Sequence, residues 1–262
     1  MSLDLEKEYN NRARVPEHPA IFASWGAQSK AYRNINTPRV IEYGPGERST
    51  LDLFDAGDGP AVMFIHGGYW QALDKSSFSH MARGLNELGV TVAVPSYDLC
   101  PNVRVGDIVE QMRAACAIVH RATNAPVIVS GHSAGGHIAA CLLATEAHVP
   151  AAYAISGLFE LAPLIPTSLN EKLGLDETEA QALSPLLWPA PKGKTLDAVV
   201  GADESSEYLR QSAAIVAAWG EGGVATRYEE MEAANHFTVI APLAAASSPM
   251  CERLKQLAER GA

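Results

Sequence analysis

The chain has 262 residues, 47% of them apolar and 19% charged, with 21 glycines and 16 prolines; this balance excludes a disordered or fibrous chain and suits one globular domain. Thirty acidic residues against twenty basic give a formal charge of −10, so the surrounding field repels phosphate backbones and argues against a nucleic-acid partner. The four cysteines, Cys100, Cys116, Cys141 and Cys251, are widely separated and form no Cys-x-x-Cys unit, which reads as reduced structural thiols rather than a metal or redox site.

The opening Met1-Ser2-Leu3-Asp4-Leu5-Glu6-Lys7-Glu8 has neither the basic nor the apolar region of a secretory signal. No apolar run nears the roughly 18 residues a membrane-spanning helix needs, so a soluble, cytoplasmic protein without a membrane partner is expected. Residues 1–38 carry helical stretches with Trp25 and Tyr32 but no strand. From residue 40 onward, short β-branched runs alternate with helical patterns, the mark of a mainly parallel sheet covered on both faces. Eight strands are predicted: Val40–Tyr43, Leu51–Phe54, Val62–His66, Val90–Pro95, Val127–Gly131, Ala152–Ile155, Leu196–Val200 and Thr226–Met231. Gly44-Pro45-Gly46-Glu47 between the first two is too short for a crossover, so that pair should be antiparallel. Apolar residues three and four apart predict helices over Phe78–Leu88, Ile108–His120, His137–Glu146, Ser206–Gly220 and Pro249–Arg260. Leu158–Pro191 is irregular and rich in Leu and Pro, with a helix expected at Asp176–Leu183. It reads as a small cap (residues 158–191) which, with residues 1–38, covers one edge of the sheet within a single domain.

Val127-Ile128-Val129-Ser130-Gly131-His132-Ser133-Ala134-Gly135-Gly136-His137 is a buried strand, then Gly-x-Ser-x-Gly, then a helix start. In that context Ser133 sits on a sharp strand-to-helix turn whose neighbours must be small, and the helix N-terminus stabilises negative charge beside it. Ser133 is the expected nucleophile and the Ala134 N–H an oxyanion donor. The third strand runs into His66-Gly67-Gly68-Tyr69-Trp70, where Gly67 and Gly68 are the expected further donors and His66 a brace for the loop. Tyr69, Trp70 and His132 are candidates to line a substrate, with plain sheet covering as the alternative for the two aromatic residues.

A serine hydroxyl needs a base, and the base an orienting acid, in the chain order Ser, acid, His. His236, after the last strand in Ala233-Ala234-Asn235-His236-Phe237, is the expected base. Asp203, after the seventh strand in Val199-Val200-Gly201-Ala202-Asp203-Glu204, is the expected acid, with Glu204 and Glu207 as alternatives. No zinc-type ligand spacing and no phosphate-binding glycine loop occur, so no cofactor and no metal are expected.

Together these motifs resemble the α/β-hydrolases of the kynurenine formamidase (arylformamidase) and hormone-sensitive-lipase-like esterase group. The likeness rests on Tyr9-Asn10-Asn11-Arg12 and Trp25, Tyr43-Gly44-Pro45 with Leu51-Asp52-Leu53-Phe54, His66-Gly67-Gly68-Tyr69-Trp70 and Gly131-His132-Ser133-Ala134-Gly135-Gly136. The resemblance implies an α/β-hydrolase fold and hydrolysis of a small-molecule acyl substrate, either an N-formyl aryl amide such as N-formylkynurenine or a short ester or thioester. A non-catalytic binding module on the same fold is the alternative of another kind.

Overall fold

In the computed structural model, which describes residues 3–57 and 60–261, eight strands form one sheet. They are β1 (Arg39–Glu42), β2 (Thr50–Phe54), β3 (Ala61–Ile65), β4 (Thr91–Pro95), β5 (Val127–His132), β6 (Ala151–Ile155), β7 (Thr195–Gly201) and β8 (Ala225–Met231). Their spatial order is β1-β2-β4-β3-β5-β6-β7-β8. β1 pairs antiparallel with β2, and β2 antiparallel with β4; every other pairing is parallel. The central strands β3, β4, β5 and β6 are buried at every residue, which is why they read as unbroken apolar runs, whereas the outermost strands, β1 and β8, are partly exposed.

The helices are α1 (Leu5–Tyr9), α2 (Asn11–Arg14), α3 (His18–Ile35), α4 (Arg83–Glu87), α5 (Val105–Thr123), α6 (Ala134–Thr145), α7 (Asn170–Leu173), α8 (Glu177–Ala182), α9 (Ser206–Glu221) and α10 (Pro249–Gly261). None of the described helices is long and apolar enough to cross a membrane. Alternation along each strand divides the core in two. Met63, Ile65, Val127 and Val129 pack with α5, α6 and α9, while Val62, Phe64, Val92 and Ile128 pack with α3 and α10 on the opposite face.

One predicted helix takes a different form. Phe78–Leu88 begins with a 3-10 turn at Ser79–Ala82 and becomes α-helical only at Arg83. Gly84 passes so near the C-terminal segment that a Cβ there would lie 2.6 Å from both the Cys251 Sγ and the Leu243 carbonyl oxygen, so the helix fits packing rather than periodicity.

The leading segment is fixed on the sheet by polar ties as well as apolar ones. On α3, Trp25, Ser29 and Tyr32 lie on one buried face; Ser29 Oγ bonds His80 Nδ1 at 2.8 Å and Tyr32 donates to Asn86 at 2.6 Å. Asp52 of β2 is fully buried and accepts from Arg33, with the Lys75 ammonium 2.8 Å away.

The chain leaves β3 for β4 on one side and returns to β5 on the other, so β3 and β5 flank a topological switch point, with a crevice at their carboxyl ends. The loops after β3, β5, β7 and β8 open at that end. On the far face, α10 is anchored by Arg253, whose Nε and Nη2 donate to the fully buried Asp197 of β7 at 2.6 and 3.0 Å. Arg227 stands 3.8 Å from the same carboxylate. Arg253→Leu leaves that buried charge with only the long Arg227 contact, and a stability loss of about 3 kcal/mol is expected. Urea unfolding followed by circular dichroism measures it.

Candidate active site

β5 turns through Ser133 directly into α6, and Ser133 holds φ 57° and ψ −118°, a conformation that L residues rarely adopt. The turn needs its glycines: a Cβ on Gly131 would lie 2.2 Å from the Gly135 carbonyl oxygen, and one on Gly135 would lie 2.0 Å from that of Ile65. The Ser133 N–H donates to the Ile155 carbonyl at 2.8 Å, so β6 holds the turn in place. Ala134 is the first residue of α6, where a backbone N–H has no acceptor within the helix.

The loop after β3 lies against this turn. A Cβ on Gly67 would come 3.0 Å from the Ser133 Cβ and 2.9 Å from the His132 carbonyl oxygen. Gly68, Tyr69 and Trp70 then take positive φ in succession (114°, 50° and 56°), which turns the backbone sharply beside the Ser133 end of the crevice. Gly67, Gly68 and Ala134, the expected oxyanion donors, therefore belong to the two segments that meet at Ser133. His66 holds the loop from below: its ring stacks on Tyr97 at 4.3 Å and on Phe78 at 5.5 Å, and Nδ1 bonds the Gly67 carbonyl at 2.7 Å. Complete burial pushes its pKa down to about 4, so it stays neutral near pH 7.

The carboxylate beside His236 is that of Glu204, not Asp203. Glu204 Oε2 lies 2.6 Å from His236 Nδ1, and Oε1 accepts from Ser156 Oγ at 2.5 Å and from the Gly201 N–H at 2.8 Å. Asp203 is exposed. The reason lies in a tight turn after β7, in which the Glu204 N–H returns to the Gly201 carbonyl at 3.1 Å and the Asp203 N–H bonds the Ala234 carbonyl at 3.0 Å. That turn carries the Asp203 side chain outward and folds the longer Glu204 side chain back under the sheet edge. Glu207, the other alternative, is committed elsewhere: it accepts from the Tyr9 hydroxyl at 2.7 Å and from Arg210 at 2.7 and 2.8 Å.

His132 and Tyr69 line the same cavity as Ser133 and His236; Trp70 does not. His132 Nε2 donates to the His236 carbonyl at 2.7 Å, and burial, then the neighbouring His236, hold its pKa well below the usual histidine range. Trp70 is fully buried, edge-on to His137 at 5.1 Å, and belongs to the core, so of its two readings the covering one applies. Tyr69 turns the other way, and its hydroxyl meets the Tyr9 carbonyl and the Tyr208 hydroxyl, each at 2.6 Å.

Tyr208 had no signal in the sequence beyond helical periodicity. Its ring lies 4.6 Å from that of His236, and its hydroxyl accepts from Asn11 Nδ2 at 3.0 Å. Burial raises the pKa of both Tyr69 and Tyr208, which keeps their hydroxyls protonated. The leading segment thus reaches the site through Tyr9 and Asn11. The cavity, about 220 Å³, is walled by Tyr9, Asn11, Phe22, Trp25, Tyr69, Phe78 and Phe237, with Ser168, Leu169 and Lys172 contributed from residues 158–191.

With this geometry in view, residues 62–190 match a family model described as an α/β-hydrolase fold. The kynurenine formamidase of Salmo salar is 31% identical, with the match covering 83% of this chain and 79% of the relative; that of Danio rerio is 28% identical over 78% and 75%. The chain belongs to the α/β-hydrolase family that includes the kynurenine formamidases. Among solved structures, a protein from Silicibacter sp. TM1040, provisionally described as a thioesterase, superposes with a TM-score of 0.84 at 34% identity, covering 96% of this chain and 98% of its own. An esterase from Pyrobaculum calidifontis shares the fold, with a TM-score of 0.73 at 18% identity over 93% and 94%. As a member of this family the protein is a hydrolase of ester or amide bonds.

Histidine burial around the site sets an expected acid limit. His66, His80 and His137 all have pKa values lowered to about 4 by burial, against 6.5 when solvated. The unfolded chain therefore takes up more protons than the folded one between these values. Stability is full above about pH 6.5 and falls as the pH drops toward 4, each histidine contributing up to about 1.4 kcal/mol per pH unit. Urea midpoints measured from pH 7 to pH 4.5 should decline, with a shallower slope in His80→Gln; a flat profile would contradict these burial assignments.

Proposed function

We propose that the protein is a serine hydrolase whose nucleophile is Ser133, with His236 as general base and Glu204 as the acid that orients it, and that its substrate is an N-formyl aryl amide such as N-formylkynurenine. The observation that carries the mechanism is the buried Glu204–His236 contact of 2.6 Å, which holds His236 in the cavity that Ser133 also lines. With Nδ1–H donated to Glu204, Nε2 of His236 is left to accept the Ser133 proton. A binding module without chemistry would have no use for a strained serine that shares its cavity with a carboxylate-oriented histidine.

Ser133 Oγ attacks the formyl carbon as His236 takes its proton, and the carbonyl electrons move onto oxygen. The N–H groups of Gly67, Gly68 and Ala134 receive that oxyanion, each such donor being worth roughly 3 kcal/mol in the transition state. Collapse breaks the C–N bond while His236 returns the proton to the leaving aryl amine. Water, deprotonated by the same histidine, then cleaves the formyl-serine ester and releases formate and free Ser133.

Two observations support the aryl formamide. The relatives that match most of the chain are named kynurenine formamidases, and the cavity walls are aromatic on several sides, suited to the faces of a planar ring. Cleavage of short esters or thioesters is the second reading, favoured by the 34% identical structure with the thioesterase description. Steady-state hydrolysis of N-formylkynurenine, p-nitrophenyl acetate and a short acyl thioester separates them: turnover of the formamide well above the other two supports the first reading, and an inert formamide beside rapid ester cleavage supports the second. Ser133→Ala and Glu204→Gln are expected to lower kcat by about 10³-fold or more, whereas Asp203→Asn should stay within about twofold. Loss of activity in Asp203→Asn with an active Glu204→Gln would overturn the acid assignment.

A further inference from the structure

The walls of the cavity carry charges that the chemistry at Ser133 does not use. Three permanently or normally charged side chains line it: Glu6 and Arg12 from the leading segment, and Lys172 at the end of α7. Glu6 is occupied, because its two carboxylate oxygens accept from the Ser168 N–H and Oγ, each at 2.8 Å, and so join the leading segment to residues 158–191 across the cavity. The two cations are not. Among the described residues, the ion pairs involve other arginines and lysines, and neither the Arg12 nor the Lys172 side chain makes a hydrogen bond. The Arg12 guanidinium instead rests over the Phe22 ring, 5.9 Å from its centre, which steadies the side chain without consuming any of its donors.

In a chain of net charge −10, a cavity lined by two cations against one occupied carboxylate is a local reversal of sign. The wider field turns anions away, so an anionic substrate needs such a reversal where it docks. A guanidinium with free, coplanar N–H groups matches a carboxylate in two parallel hydrogen bonds.

We propose that Arg12, with Lys172 from the chain's cap segment in the same lining, forms a carboxylate subsite, so that the cavity selects aryl acyl compounds bearing an anionic tail. The inference rests on reading this cavity as the acyl-binding site. It adds a reason for the leading segment to form part of the wall: Tyr9 and Asn11 tie it to Tyr69 and Tyr208, and the next residue, Arg12, carries the charge.

The test uses two unreactive aryl ketones on the intact protein, 4-(2-aminophenyl)-4-oxobutanoate and the corresponding butanamide, which differ only in the charge of the tail. Titration calorimetry gives a Kd for each in the parent, in Arg12→Gln and in Lys172→Gln. The parent is expected to bind the carboxylate about five- to tenfold more tightly than the amide, with the ratio shrinking as salt rises; the ratio should fall toward one in Arg12→Gln and partway in Lys172→Gln. Because the readout is a ratio within each protein, general changes in the site cancel. Equal affinity in the parent, or an unchanged ratio in Arg12→Gln, overturns the proposal. Protection of Ser133 from a fluorophosphonate probe by either ketone ties the binding to this cavity. Failure of the probe to label Ser133 in the parent counts against the serine mechanism, while the affinity ratio is read independently of it.

Discussion

The close approach of α6 to the ends of β3 and β5 is the constraint on which the other features depend. Gly135 lies so near the Ile65 and His66 carbonyl oxygens that any Cβ there would overlap them, and Gly131 is equally near the Gly135 backbone. That contact forces the chain through Ser133 with positive φ and brings the α6 N-terminus to the crevice. It also brings the loop at Gly67 against the same residue. A single backbone packing thus sets the direction of the serine side chain, the donors facing it and the local positive potential, before any side chain in the cavity is considered.

The second half of the site is fixed by hydrogen bonding rather than by packing. Glu204 has a partner for each oxygen, and the His236 carbonyl accepts from His132, so the imidazole is held through its ring and through its own backbone. Gly201 allows this: a Cβ there would lie 2.2 Å from the Ala234 carbonyl oxygen, which lets the loop carrying His236 fold across the end of β7. The strained turn at Ser133 and the hydrogen-bonded turn at Glu204 stand on separate strands, β5 and β7, and the bond from His132 to the His236 carbonyl joins the two.

This division explains what could be read from the sequence. The central strands were legible because buried parallel strands must be apolar throughout, and the short Gly44-Pro45-Gly46-Glu47 link exposed the antiparallel β1–β2 pair, whereas nothing in the sequence marked β2 as antiparallel to β4. The strand–glycine–serine–helix pattern around Ser133 was legible because its backbone geometry tolerates so few residues. The choice between Asp203 and Glu204 was not, since it depends on how a turn of four residues is wound, and both carboxylates lie within one residue of each other. Trp70 was equally opaque: aromatic residues beyond an oxyanion loop can face the substrate or the core, and the positive φ at Tyr69 and Trp70 that decides the matter leaves no trace in composition.

The leading segment shows where pattern reading ends and tertiary structure begins. Its helical stretches were visible, with Trp25 and Tyr32 in them, but the sequence could place them only as a covering. In the fold the segment instead supplies a wall of the cavity and closes a polar chain running from Tyr9 and Asn11 through Tyr69 and Tyr208 to the face of the His236 ring. Such a chain joins residues as far apart as Asn11 and Tyr208, 197 positions along the sequence, and no local rule could anticipate it. Its consequence is physical: because these groups are buried, each bond left unmade would cost about 1–3 kcal/mol, so the segment and the His236 side of the site hold one another in place. In the proposed mechanism, the cavity wall supplied by the leading segment and the base His236 are therefore mechanically linked, although they arise from opposite ends of the chain.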